Sequence, residues 1–211
     1  MRKDSIIIIR MCKRIILFIT FCLLVNGCVF SRNLLLPKVS YDQIVPQQTK
    51  PSVDYTIRII FGEEKKEFPT TIRDQEKIEG VLSKSKMFSA INYGKGSAEY
   101  YLSFTFHTNP YDSKGERYLN YLWGAVSGLS LLIIPVYDAQ TFLLNVDVKK
   151  GDLILKQYSY KERIGGFIWG IPGLIAAIPK IYMAGGDIAE NKLLNFLVDL
   201  QKDKILDVSS Q

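Results

Sequence analysis

From Val53 to Phe61 every odd residue is apolar or aromatic (Val53, Tyr55, Ile57, Ile59, Phe61), while Asp54, Thr56 and Arg58 fall between them. Such alternation fits a strand with one face against a core, because successive side chains on a strand point to opposite faces. The pattern returns twice. Tyr100, Leu102, Phe104 and Phe106 share a face of a strand predicted over residues 100–107, and Phe142, Leu144, Val146 and Val148 share one over 141–148. Lys149-Lys150-Gly151-Asp152 reads as a hairpin turn that returns along residues 153–160. Helices interleave with these strands. Thr71 with Asp74 three residues later is a capping-box signature, followed by Ile78, Val81, Leu82 and Ser85 at helical spacing. A terminal helix is expected from about Asp187, with Glu190 as cap partner and Ile188, Leu194, Leu197 and Val198 for packing. The expected class is α+β: a small, mainly antiparallel sheet of about four strands packed with helices.

Two uncharged apolar segments flank the hairpin, at residues 119–137 and 164–179. Each carries a GxxxG spacing, Gly124 to Gly128 and Gly166 to Gly170. On a helix, Asn120, Gly124, Ser127 and Gly128 form one stripe of small residues, and Gly166, Gly170, Gly173 and Ala177 form another. Missing side-chain bulk lets helices approach closely, so these glycines are expected at helix-packing or membrane contacts. Three arrangements satisfy such a pair: helices inside the protein, helices dipping into a membrane or facing a partner, or helices crossing a bilayer. Crossing fits worst. A helix from Tyr118 to Ile134 would be about 25 Å long against a hydrocarbon core of roughly 30 Å. Pro172 would also kink the second segment.

The N-terminal region has the layout of a secretory signal. Arg10, Lys13 and Arg14 lead into eleven uncharged residues, Ile15 to Val25. That run is short for a bilayer span, which takes roughly 20 residues. Met11 offers a second possible start, just ahead of the run. Val25-Asn26-Gly27-Cys28 resembles the lipobox of bacterial lipoproteins, with an aliphatic residue at −3 and a small one at −1. The resemblance implies cleavage between Gly27 and Cys28, and a diacylglycerol on the Cys28 thiol. Two or more acyl chains anchor a protein stably to a membrane where one is marginal. Val29 follows the cysteine, with no aspartate to signal inner-membrane retention. This implies the periplasmic face of the outer membrane where the organism has one. The expected organisation is a signal peptide over 1–27, a lipidated cysteine and flexible tether over 28–52, and one α+β domain over 53–211. The tether reading rests on Pro37, Pro46, Gln47, Gln48 and Pro51.

Ser127-Gly128-Leu129-Ser130 running on to Pro135, then a hairpin, then a Trp-bearing apolar run is similar to a pattern in uncharacterised small envelope lipoproteins. So is Ser85-Lys86-Met87-Phe88-Ser89-Ala90-Ile91. That likeness implies no activity.

Composition narrows the chemistry. The whole chain is +6, but residues 1–27 hold five basic residues and one acidic, so the remainder is about +2. Its lysines and arginines form no basic stripe, so no nucleic-acid partner is expected. Cys12 and Cys22 leave with the signal and Cys28 is taken by lipid, which excludes an intramolecular disulfide. His107 is the single histidine, so no metal site of the usual kinds, no cofactor and no Ser-His-Asp triad are expected. Gly165 to Gly170 lacks the GK[ST] of a phosphate loop. Asp147, Asp152, Asp112 and Glu116 are the acids a glycan-cleaving pair would draw on, yet hairpin turns and loops carry such acids routinely. Tyr100, Tyr101, Tyr118, Tyr121, Tyr158 and Tyr160 could line a binding surface or sit at a lipid interface, and as strand residues they could equally pack a core. No catalytic residue is assigned. The expected role is a lipid-anchored, non-catalytic binding or assembly module. Its partners are the membrane through Cys28, and an envelope protein or a second copy. The alternatives are an envelope enzyme acting on peptidoglycan or glycan through carboxylates, or an oligomeric membrane-assembly subunit.

Overall fold

The computed structural model describes residues 28–33, 36–46, 49–62, 64–109, 113–129, 136–168 and 188–206. They form a seven-stranded sheet: β1 (Cys28–Asn33), β2 (Ser52–Phe61), β3 (Lys66–Phe68), β4 (Ala90–Tyr93), β5 (Tyr100–Asn109), β6 (Val136–Lys150) and β7 (Leu153–Ile168). The order is β1-β7-β6-β5-β2-β3, with β4 also on β2. The helices among the described residues are α1 (Ile72–Lys84), α2 (Lys114–Leu129) and α3 (residues 188–202). The class is α+β as expected, and the sheet is larger than four strands. The additions β1, β3 and β4 are short strands whose place comes from pairing with longer neighbours, a contact that leaves no periodic signature.

The sheet is also mixed where a mainly antiparallel one was expected. β2 runs parallel to β4 and β5, and antiparallel to β3, while β5 runs antiparallel to β6. Helix α1 is the reason. It carries the chain back between β2 and β4, so that β4 can run in β2's direction. The capping box that starts α1 is formed: the Thr71 N–H donates to Asp74 Oδ2 at 3.0 Å, and the Asp74 N–H to Thr71 Oγ1 at 3.3 Å.

Two compact units are present. One contains Cys28–Ser31, Ser113 to Leu129, Val136–Asp138 and Gly165 to Ile168. The other holds the remaining described residues, including β2 to β5, most of β6 and β7, α1 and α3. The core of this larger unit is built from the faces foreseen by alternation. Val53, Tyr55 and Ile57 of β2, Leu102 and Phe104 of β5, and Leu144, Val146 and Val148 of β6 are all buried. Ile78, Val81 and Leu82 of α1 join them, as do Leu193, Leu194, Phe196, Leu197 and Leu200 of α3.

Three expectations change. The hairpin arms are longer than foreseen, since β6 begins at Val136 and β7 continues to Ile168. Residues 164–168, expected as the start of an apolar helix, are therefore strand. In the sheet β7 lies between β6 and β1. Gly166 sits in this strand, where side chains repeat every two residues, so the helical stripe of small residues has no meaning there. Gly170 and the rest of the second segment lie outside the described residues, as do 130–135 of the first.

The third change concerns the stretch read as a flexible tether. Its first residues, Cys28–Asn33, are strand β1, and residues 36–46 are fastened along α3. The Val39 N–H donates to Asn191 Oδ1 at 3.0 Å, and the Asn191 and Asn195 amides both donate to the Pro37 carbonyl, at 3.3 and 3.0 Å. Gln201 accepts from the Val45 N–H at 3.2 Å and donates to the Val45 carbonyl. Val39 and Ile44 are buried beneath this strap. Prolines and glutamines suggested coil, but the strap's order comes from polar side chains about 150 residues away in sequence.

Candidate functional site

The polar groups of the larger unit are largely spent on holding it together. Tyr158 and Tyr160 lie two residues apart on β7, so they share a face. Their rings stack with centroids 6.4 Å apart. Tyr158 donates its hydroxyl to Asp203 at 2.6 Å, and Tyr160 to Asp199 at 2.9 Å, so two strand residues meet two acids at one end of α3. Lys156 pairs with Asp203 at 2.7 Å. Burial, reinforced by the bond to a carboxylate and by its charge, pushes both phenols well above the usual tyrosine range. The Lys156 and Tyr158 hydrogen bonds hold the Asp203 carboxyl below its ordinary range. These tyrosines were candidates for a binding surface; here they lock a strand to a helix.

Asp54 is a second internal fastening. It is buried on β2 and accepts from the Gly96 N–H at 2.8 Å, the Ala98 N–H at 3.1 Å and the Asn92 amide at 3.2 Å. Burial works against its ionisation, but those three donors, Ala98 foremost, outweigh burial and hold the carboxyl below its usual range. A Cβ on Gly96 would come within 2.8 Å of Asp54 Oδ2, so the loop requires glycine there.

The acids considered for glycan chemistry have ordinary roles. Asp147 accepts from the Gln157 amide at 2.9 Å, and fully exposed Asp152 faces Lys95 at 3.6 Å. Glu116 lies in the first turn of α2, where its N–H donates to Ser113 Oγ at 3.1 Å. Asp112 lies outside the described residues. His107 sits on β5 with Nε2 3.0 Å from the Gly62 carbonyl, a contact between strand ends. Among the described residues no group of three His, Cys, Asp or Glu side chains is placed to hold a metal ion.

The unusual surface belongs to the smaller unit. On α2, Tyr118, Leu119, Tyr121, Leu122, Trp123, Val126 and Leu129 are all exposed, Tyr118 at 80% and Leu129 at 88%. The buried residue of the helix is Ser127, at 0%, and Asn120 turns a buried amide nitrogen inward. A helix on a water-facing surface has the opposite arrangement, with apolar residues inside and polar ones out. Of the stripe Asn120, Gly124, Ser127 and Gly128, Ser127 is buried, Asn120 and Gly124 are half-buried and Gly128 is exposed. The close packing expected at its glycines is not seen: a Cβ built at Gly124 or Gly128 meets nothing within 4 Å. The second expected site residue, Cys28, is the first residue of β1 and belongs to the same compact unit as α2. The helix face was legible only as a stripe, because periodicity marks a face without saying which side of it is wet.

No protein-family model and no curated protein matches the chain. Solved bacterial structures are similar in fold. A Xanthomonas campestris protein of the DUF330 family is 10% identical, with a TM-score of 0.38 over 80% of this chain and 95% of that one. A neuraminyllactose-binding hemagglutinin homolog from Helicobacter pylori is 11% identical, at a TM-score of 0.33 over 82% and 99%. A PelC dodecamer from Paraburkholderia phytofirmans is 11% identical, at 0.26 over 81% and 96%. At these scores the functional reading rests on this chain's own residues.

Proposed function

We propose that this chain is a lipid-anchored protein of the bacterial cell envelope whose α+β domain is a non-catalytic binding or assembly module. The observation that carries the reading is where the lipobox ends. Cleavage between Gly27 and Cys28 would leave strand β1, Cys28–Asn33, whole in the mature chain. With residues 36–46 fixed on α3, the acylated cysteine joins folded protein without a long spacer. Val29 after the cysteine favours the periplasmic face of the outer membrane in a diderm organism. Metabolic labelling with an alkyne palmitate, together with the intact mass of the mature chain, tests the reading. A labelled chain beginning at Cys28, with the label abolished by Cys28→Ala, is expected. An unlabelled mature chain, or one still carrying residues 1–27, overturns it.

Self-association is the second reading, and the length of β7 favours it. The six residues of β1 can match at most six of the sixteen in β7, and Leu153, Ile154 and Leu155 are exposed beside the hairpin turn. Where no described strand matches it, an apolar strand edge is a template for pairing with another chain. A discrete multimer of the lipidated protein in mild detergent supports this reading; a strict monomer removes it.

A further inference from the structure

Helix α2 carries its large apolar residues on its exposed side. At about 100° per residue, Tyr118, Leu129, Leu122, Val126, Leu119 and Trp123 fall on one arc of about 140°, and Tyr121 widens it to about 200°. Charge is confined to one end. Lys114, Glu116 and Arg117 occupy the first turn, and no charged residue follows from Tyr118 to Leu129. The sequence then continues Ser130-Leu131-Leu132-Ile133-Ile134, again uncharged. The helix is therefore graded along its axis, from charged through aromatic to aliphatic. Its sixteen residues span about 24 Å, short of the roughly 30 Å hydrocarbon core, and no described helix is long and apolar enough to cross a membrane.

We propose that α2 docks on the phospholipid bilayer as an obliquely inserted helix, with its charged first turn among the headgroups and its Leu129 end deepest. This deepens the lipid-anchor reading and rests on it, since an acylated Cys28 would hold this same compact unit at the membrane. Two observations favour lipid over a protein groove as the occupant. A groove-bound helix presents one stripe of anchors at i, i+3, i+4 and i+7 and keeps a polar back. Here Ser127 is buried and Asn120 half-buried, so from Tyr118 onward the exposed side chains are apolar over a wide arc, a shape that suits an enveloping solvent. Tyr118, Tyr121 and Trp123 lie between the charged turn and the aliphatic end, where amphipathic rings settle at a membrane interface. Lys114 can extend its ammonium to the phosphates.

The cysteine inventory supplies the test. Once the signal is gone, Cys28 is the only cysteine left, and lipid occupies its thiol. A single cysteine introduced as Tyr118→Cys or Leu129→Cys can therefore take a nitroxide label in the full lipidated protein, and both positions are too exposed to disturb the fold. In phosphatidylethanolamine–phosphatidylglycerol vesicles, the 129 label should collide several-fold more with oxygen than with a water-soluble nickel chelate. The 118 label should show the two more nearly balanced. Leu122→Glu with Val126→Glu should return the 129 label to the chelate while the protein still floats with the vesicles. Labels that meet the chelate freely on floating protein overturn α2 docking and leave the lipid anchor standing. Equal depth at the two positions overturns the oblique insertion. Protein that fails to float overturns the anchor reading and this one together.

Discussion

Helices α2 and α3 are of similar length and both rich in apolar residues, yet the fold uses them in opposite ways. In α3, residues 191–197 are buried without a break, polar ones included. Phe196 meets Phe104 and Tyr158 edge to face, with centroids 5.8 and 5.4 Å away, while Asn191 and Asn195 bind the strap. In α2 the apolar residues point outward and the inward side is Ser127 and Asn120. Hydrophobicity alone does not separate the two helices. Each buried polar residue on α3 offsets its burial with a hydrogen bond to another segment of the chain, whereas the apolar residues of α2 are exposed. The difference teaches that an apolar helix can serve as core, as α3 does, or keep its apolar residues at the surface, as α2 does.

The sharpest way to break that comparison is to truncate one apolar residue on each helix. Phe196→Ala removes a fully buried ring from the centre of the core and should cost about 3–5 kcal/mol in denaturant unfolding. Leu122→Ala on α2 should change the same midpoint by less than about 0.5 kcal/mol, because its side chain is already exposed. Comparable losses from the two variants would mean that α2 is packed against protein after all.

A smaller effect is expected at the strap. Asn191→Ala leaves the buried Val39 N–H without its acceptor and weakens the hold on the Pro37 carbonyl, at a cost of about 1–3 kcal/mol. Hydrogen exchange should then rise at Val39 and its neighbours before it rises in β5. Unchanged protection at Val39 would show that the strap is held by burial of Val39 and Ile44 alone.

The strap also marks how far sequence reasoning reaches. The β2, β5 and β6 faces, the Thr71–Asp74 cap and the apolar residues of α3 were all legible, because each is a local pattern with a fixed period or spacing. Residues 36–46 were not, since their order depends on Asn191, Asn195 and Gln201, and no local rule links partners so distant in the chain. The longer β6 and β7 were hidden for another reason. Uncharged residues such as Gly165, Gly166, Phe167 and Ile168 fit a buried strand or a buried helix equally well, and length alone had to decide. At the candidate site the small stripe of α2 was visible in part, through Asn120 and Ser127, but the outward aspect of Tyr118, Leu122 and Leu129 was not. Amphipathicity gives the direction of a face relative to the helix axis, and only the fold gives its direction relative to the protein.

A further prediction, smaller than that for the strap, sharpens the comparison from the polar side of α3. Tyr160→Phe removes the hydroxyl that donates to Asp199 and should cost about 1 kcal/mol near neutral pH. Its pH dependence identifies the cause. In the unfolded chain a tyrosine ionises near pH 10, whereas folded Tyr160 and Tyr158 hold their protons to higher pH, and Tyr41 and Tyr55 are pushed up to about 12. Above pH 10 the unfolded state therefore binds fewer protons than the native state, and stability falls as pH rises. The Tyr160 contribution is complete below pH 10 and fades above it, so the gap between wild type and Tyr160→Phe should narrow steadily in alkali. Denaturant unfolding at a series of alkaline pH values, with tyrosinate absorbance followed alongside, measures that gap. A gap that stays constant across the series would mean the hydroxyl contributes nothing specific, and that the hold of β7 on α3 is ring packing alone.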